Sequence, residues 1–446
     1  HQELSGRKLF CECSTENKEE KLMLEFKRKL RAVAGESGEI DVAAAYEQLR
    51  NRIFIYHGYE GEFCLVDMDS EPPHRVNKDA LETALALALL LKMDIPDAIQ
   101  VMRKTVADGS ACSGFQRTMV VGLGSKDSFI ETSRGVVRLS QLNLEEDACK
   151  IEKREGNKVY YSLSRQGIPL LELGTEADIK DPLHAKEVAE KIGMIFRSFP
   201  SVKRGIGTIR QDINISIKGG PRIEIKGWQD LRTLHKLIEN ETLRHVNLLK
   251  IRDELKNVRK LKRIETEIKE VTYVFKNTKS AVISKIVNKG GKVFAAVARG
   301  FSGLAKKELC PGKTFGKELA EYAMAYGANG IIHSDENLEK YKLVEEFKNL
   351  EKIFNAAEED LIFIVAEKEF IAKNAINAVV KRIKYSLNGI PEETRVPDHQ
   401  NIYTRYARPL PGANRLYPET DVEPVSYTHL RAHETSLHLV CRLLLE

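Results

Sequence analysis

The stretch "NLEEDACKIEK", residues 143–153, sets Glu145, Glu146 and Asp147 side by side between apolar residues. Adjacent carboxylates repel, and one held among apolar neighbours costs several kcal/mol unless it is protonated, paired or bound to a metal. "GIPLLELG" repeats the problem: Ile168, Leu170 and Glu172 share one strand face, Leu171 and Leu173 the other. Both faces are apolar, so this strand reads as buried with one carboxylate in it. If the preceding strand runs on, Glu146 shares a face with Leu142 and Leu144. Two such acids on facing strands, within reach of each other, ask for a cation. An Arg or Lys partner and a bound ion both satisfy that demand.

A second polar surface comes from "GTIRQDINISIKGGPRIEIKG", which reads as a β-hairpin turning at Gly219-Gly220-Pro221. Ile213, Ile215, Ile217, Ile223 and Ile225 make its apolar face. Arg210, Asp212, Asn214, Glu224 and Lys226 lie on the other, which is either a solvated sheet face or the lining of a cleft.

Other motifs fail on chemistry. "GIGTIR" has Arg210 where a dinucleotide loop needs its third glycine, and a strand follows it. "PGKT" at 311–314 has Lys307 where a P-loop needs Gly, so it reads as a turn. Cys11-x-Cys13 could be half of a zinc site, but no second Cys or His pair follows nearby. Cys112 has no evident His partner and reads as buried or incidental. The spacing His429…His433 in the tail reads as chance rather than as a metal pair.

The elements that must carry these residues read as α+β. A helix is predicted over 78–92 behind Asn77 as N-cap, apolar nearly all round and therefore buried. "NKVYYSLSRQGIPLLEL" predicts a strand, a turn at Gln166-Gly167 and a second strand. "DPLHAKEVAEKIGMIFRSF" predicts a helix opened by Asp-Pro. A long helix is expected over about 229–270, ending in the basic run "KNVRKLKR", a solvated helix face or a phosphate contact. Residues 271–385 alternate β and α on their own and read as a separate inserted domain.

At 446 residues the chain calls for roughly two or three domains. Its longest apolar stretch is broken by Glu82 and Lys92 and is too short to span a bilayer. Seven scattered cysteines favour a reducing cytoplasm over a disulfide framework. A net charge of +5 permits a nucleic-acid partner without demanding one. The opening on His1, inside a strand-like phrase, reads as an N-terminal truncation. The tail "SYTHLRAHETSLHLVCRLLLE", 426–446, reads as foreign to the fold.

"NLEEDACK", "SLSRQGIPLLEL" and "TIRQDINISIK…RIEIKG" stand in the order and spacing of the GatB/GatE family of tRNA-dependent amidotransferase subunits. "ADGSACSGFQRT", "SEPPH", "IQVMRKTV" and "RYARPLPGANRLYPETDVEP" resemble the archaeal branch of that family, and the resemblance covers roughly residues 1–425. It implies an α+β cradle with antiparallel hairpins over 1–270, interrupted at 271–385 by an insertion domain of the aspartyl-tRNA-synthetase type that serves tRNA recognition. The chain would return to the cradle over 386–425, with the family's C-terminal helical and tail domains missing after it. It implies a Mg²⁺ ion held by His1, Glu146 and Glu172, the family's first acidic ligand falling just upstream of His1.

ATP would phosphorylate the γ-carboxylate of glutamate carried on tRNA(Gln). Ammonia from an asparaginase-like partner, the D component of a heteromeric GatDE complex, would displace phosphate. Arg210, Asp212, Asn214, Glu224 and Lys226 would then face the cleft and supply positioning and charge neutralisation. The second cysteine pair found in zinc-bearing GatB proteins is absent, so zinc is not implied. The competing readings are a non-catalytic tRNA-binding module related to aminoacyl-tRNA synthetases and a structural fragment.

Overall fold

The structure, a computed structural model, describes residues 1–32, 34, 38–412 and 415–426. The chain divides into two compact units. One comprises 1–212, 227–235 and the described part of 411–446; the other comprises 213–226 and 236–410.

The first unit is built on a seven-stranded antiparallel sheet. Its order is Gln2–Glu3, Pro169–Thr175, Gly135–Glu146, Phe115–Leu123, Met102–Thr105, Leu416–Pro418, with Phe129–Thr132 paired to Gly135–Glu146 off that path. The helix Lys78–Leu90 starts where Asn77 accepts from the N–H groups of Asp79 and Ala80, a cap worth about 1 kcal/mol. Its Ala84, Leu85, Leu87 and Ala88 are buried with Met119, Val121, Leu142, Leu144 and Leu171 of the sheet. Each leucine so buried contributes roughly 1.5–3 kcal/mol.

The predicted helix at "DPLHAKEV" runs Pro182–Arg197, capped by Asp181. The two strands read around Gln166-Gly167 are Lys158–Ser162 and Pro169–Thr175, but they enter different sheets. Lys158–Ser162 lies between Ile53–Tyr59, in parallel, and Lys150–Glu155.

The second unit holds an antiparallel sheet of Thr266–Glu270, Lys292–Ala298, Leu361–Glu367 and Ile332–His333 over a core that includes Phe275, Val293, Val297, Phe347 and Ile364. The predicted hairpin forms as Gln211–Ile215 and Ile223–Trp228, with Gly219 at φ 87° in its turn. Ile215, Ile223 and Ile225 are buried, as the alternation requires. Within "PGKT", Pro311-Gly312 forms the turn and Lys313–Thr314 the strand that returns along Glu308–Cys310.

Two boundaries differ from the sequence reading. The long helix ends early: Leu234–Asp253 continues as a π-helical turn, Glu254–Val258, and a strand follows from Thr266. Arg259 donates to the carbonyls of Gly300 and Ser302, and Lys260 adopts φ 54°, so the chain leaves the helix axis inside the basic run.

The compact unit is also wider than 271–385. Its helices Phe315–Ala325 and Glu369–Tyr385 supply Glu318 and Arg382 to an ion network completed from outside that range. Arg244 on the helix Leu234–Asp253 reaches Glu318 at 2.8 Å and Glu393 at 3.1 Å. Arg382 reaches Glu318 at 2.7 Å, and Arg395 pairs with Glu393 and Glu321. Excising 271–385 would strip Arg244 of Glu318 and Arg395 of Glu321, leaving both to share Glu393 in a buried setting. The expected foreign tail, with His429 and His433, lies outside the described residues apart from Ser426.

Candidate functional site

The short strand Gln2–Glu3 pairs with Pro169–Thr175, setting Gln2 opposite Leu171. The ladder extends to His1, whose amino group donates to the Arg210 carbonyl at 2.9 Å while Arg210 N–H donates to the His1 carbonyl at 3.0 Å. Its imidazole Nε2 lies 3.2 Å from Glu172 Oε1 and 3.9 Å from Glu145 Oε1. One ligand atom from each of His1, Glu145 and Glu172 falls within 4.8 Å of the others.

Strand register explains this grouping. Glu172 pairs with Asn143 across the sheet, so those two point to one face, and Glu145 joins them two residues on. Glu146 points the opposite way, in phase with Leu142 and Leu144. The expectation that Glu146 shares an ion with His1 and Glu172 is therefore corrected. The alternation within each strand was read properly, but nothing in it tells which faces of two strands coincide. Glu145 stands where Glu146 was expected.

Each of the three successive acids has its own cation. Glu145 accepts from Lys104 Nζ at 2.7 Å. Glu146 accepts from the Arg117 backbone N–H at 3.0 Å and lies 3.5 Å from its guanidinium. Asp147 receives a two-pronged bond from Arg210, at 2.6 and 3.1 Å. Burial pushes the Glu146 carboxyl above its ordinary pKa despite Arg117. Glu3, buried and hydrogen-bonded to Asp147, is raised to about 7.

The first cluster is the one with charge to spare. Burial would lower the pKa of His1, but the hydrogen bond to Glu172 and the charges of Asp212, Glu172 and Glu145 outweigh it and leave it raised. Burial would raise Glu172, yet His1 and Lys104 hold it well below the carboxylate range. Glu172 Oε2 accepts from Asn143 Nδ2 at 3.0 Å, while Asn143 Oδ1 is buried with no hydrogen-bond partner among the described residues. Two carboxylates, an imidazole and an unsatisfied amide oxygen form a donor set that fits a hard divalent cation such as Mg²⁺. Asn143, Glu145 and Lys104 were missed in the sequence. The phase of Asn143 with Glu145 was the available signal.

The residues of the predicted polar hairpin face are engaged separately. Arg210 is tied to Asp147, and Asp212 Oδ1 accepts from the Gly227 N–H at 2.8 Å. In the second unit Asn214 accepts from Arg222 at 3.3 Å, and Glu224 pairs with Lys226 at 2.9 Å and accepts from Thr394. Cys11-x-Cys13, which lacks a second pair nearby in sequence, lies with Cys64 and Asp67 in space. Among the described residues no helix is long and apolar enough to cross a membrane.

Residues 1–431 match the family model described as the GatB/GatE catalytic domain. The chain is 47% identical over 429 residues to the E subunit of glutamyl-tRNA(Gln) amidotransferase from Methanocaldococcus jannaschii, covering 95% of this chain and 67% of that protein. It is 47% identical over 432 residues to the protein of the same name from Archaeoglobus fulgidus, covering 96% and 68%. With that of Haloarcula marismortui it shares 46% over 430 residues, covering 95% and 67%.

Proposed function

The chain belongs to the GatB/GatE family of amidotransferase subunits, and from that premise we propose that it converts Glu-tRNA(Gln) to Gln-tRNA(Gln) at the expense of ATP. In the proposed sequence the γ-carboxylate of the tRNA-bound glutamate attacks the terminal phosphorus of ATP and ADP leaves. Ammonia then adds to the acyl phosphate carbon, and phosphate departs as the amide forms. An asparaginase-like partner, GatD, would release the ammonia.

The observation that carries the reading is the convergence of His1, Glu145 and Glu172 beside the unsatisfied oxygen of Asn143. These residues would hold the divalent cation. When bound, such a cation neutralises charge on the phosphoryl oxygens during transfer. The chain's own part is positional. Asn143 fixes the Glu172 carboxylate, Lys104 fixes Glu145, and the backbone ladder to Arg210 fixes the ring of His1. Asp147 locks Arg210 in turn, which makes Arg210 a positioning residue in this reading. Asp212, Asn214, Glu224 and Lys226 are proposed as substrate-facing groups.

The test is a single-turnover assay with Glu-tRNA(Gln), ATP, Mg²⁺ and ammonium chloride, which removes the need for a partner. Gln-tRNA(Gln) is expected from the wild type. Glu145→Gln and Glu172→Gln should form it far more slowly, and an unaltered rate in both would overturn the assignment.

A further inference from the structure

The basic run "KNVRKLKR", residues 256–263, has no part in the phosphoryl and ammonia steps. It holds five cations, Lys256, Arg259, Lys260, Lys262 and Arg263, and no carboxylate, so its charge equals the +5 of the whole chain. Like charges gathered so closely repel one another, and a bound polyanion removes that cost.

The fold uses one of the five cations as an anchor and leaves the others at the surface. Arg259 donates to the carbonyls of Gly300 and Ser302 at 2.8 and 3.0 Å and reaches Glu254 at 2.9 Å. Leu255 and Ile264, on either side of the run, are buried. The Leu261 N–H donates to the Leu255 carbonyl at 2.9 Å, and the Leu261 side chain lies close against Gly300. The backbone of the run is therefore fixed at both ends and in the middle. Of the acids beside the anchor, Glu254 is held by Arg259 and Lys307, and Asp360 by Arg299 and the Gly300 N–H. Arg263 meets Glu265 in a pair open to solvent on both sides, which contributes little and exchanges readily. Lys256, Lys260 and Lys262 are exposed and pair with no carboxylate among the described residues.

An ammonium is a point charge that suits phosphate oxygens without demanding a fixed direction. The groove beside the anchor is lined by Arg259, Leu261, Arg299 and Asp360 among others and by none of the three lysines, so these face an extended partner and not an enclosed small anion. The run holds no aromatic ring on which a base could stack, which points to backbone contact. Val258 is its one exposed large apolar side chain, too little to enter a lipid surface.

We propose that Lys256, Lys260 and Lys262 bind the phosphate backbone of the tRNA whose glutamate is amidated, holding it by charge and not by sequence. The inference rests on the tRNA-dependent activity proposed above and adds to it a contact surface in the second unit.

The test compares the purified wild-type chain with a variant combining Lys256→Ala, Lys260→Ala and Lys262→Ala. Binding of tRNA(Gln) is followed by fluorescence anisotropy from about 50 to 200 mM salt. The variant should bind about tenfold or more weakly at the low end, and its slope of log affinity against log salt should be shallower by about one per lysine. KM for Glu-tRNA(Gln) should rise while kcat at saturating tRNA stays within about twofold. Replacing the three by Arg should restore binding, and the same alanine changes at Lys126, Lys158 and Lys348, exposed elsewhere, should leave the slope and KM unmoved. An equal loss in that control set would overturn the inference, because the effect would then be one of overall charge. Wild type that forms Gln-tRNA(Gln) with KM and slope unchanged by the triple substitution would overturn this inference alone. Wild type that neither binds tRNA(Gln) nor forms product would overturn the proposed function with it. Anionic phosphatidylserine vesicles that retain the wild type but not the variant, with tRNA binding equal in both, would assign the run to a membrane surface instead.

Discussion

Two buried groups of charges in this molecule follow opposite rules. In the second unit, Arg244, Arg382, Arg395 and Lys313 face Glu241, Glu318, Glu321 and Glu393, cation for carboxylate. Burial raises the cost of every one of these charges, and the opposing charges hold Glu318 and Glu241 well below the carboxylate range. In the first unit, Glu145 and Glu172 are set against Lys104 and an imidazole that balances them only when protonated. Both groups are made of the same residue types. The difference teaches that burial of carboxylates does not by itself mark a site for chemistry; an unmatched remainder does.

The largest effect should come from breaking the matched network. Glu318→Gln leaves Arg244 and Arg382 facing a neutral amide, and removing one member of a buried pair costs about 3–5 kcal/mol. A sharp drop in the midpoint of thermal unfolding is expected, and an unchanged midpoint would show the network to be solvated.

In the unmatched group the same exchange should act on function instead. Glu145→Gln is expected to lower Gln-tRNA(Gln) formation by about a hundredfold or more, with unfolding shifted by only about 1 kcal/mol. Parallel kinetics and melting curves check that separation.

Glu146→Gln sharpens the contrast, because this acid stands on the other sheet face against Arg117. Stability should fall by about 1–3 kcal/mol, while activity stays within about tenfold of the wild type. A larger loss of activity than in Glu145→Gln would reverse the assignment of the two neighbours.

A further effect concerns Glu3, whose carboxyl rises from an ordinary 4.5 to about 7 in the fold. The folded state then binds more protons than the unfolded state between those values, so stability is greatest below the window and falls as pH climbs through it. The slope is less than one proton, under about 1.4 kcal/mol per pH unit. Denaturant midpoints of Glu3→Gln measured across that range should be flatter than those of the wild type.

Local grammar was legible in the sequence, and registers between distant segments were not. Asn77 and Asp181 announced their helices because a cap is satisfied within three residues. The isoleucine alternation gave the hairpin because its period is a property of one strand. His1 and Glu172 lie together as expected, but Glu145 rather than Glu146 stands beside them, since that depends on Glu172 lying opposite Asn143. That pairing is set by the ladder, not by either strand. Cys64 and Asp67 escaped for a similar reason: their approach to Cys11 follows from packing across a long stretch of intervening chain. The early end of the helix at Val258 reflects Arg259 bonding to Gly300 and Ser302, again a distant partner.

The matched network also has a consequence in time. Arg244 and its partner Glu393 are 149 residues apart in the chain. At about 5–20 residues per second, a ribosome making this protein releases Arg244 roughly 7–30 seconds before Glu393. Through that interval Arg244 can meet Glu241 on its own helix and, later, Glu318, but not Glu393. The network is completed only once the strand Glu393–Asp398 has emerged, and synthesis order becomes part of how this unit folds.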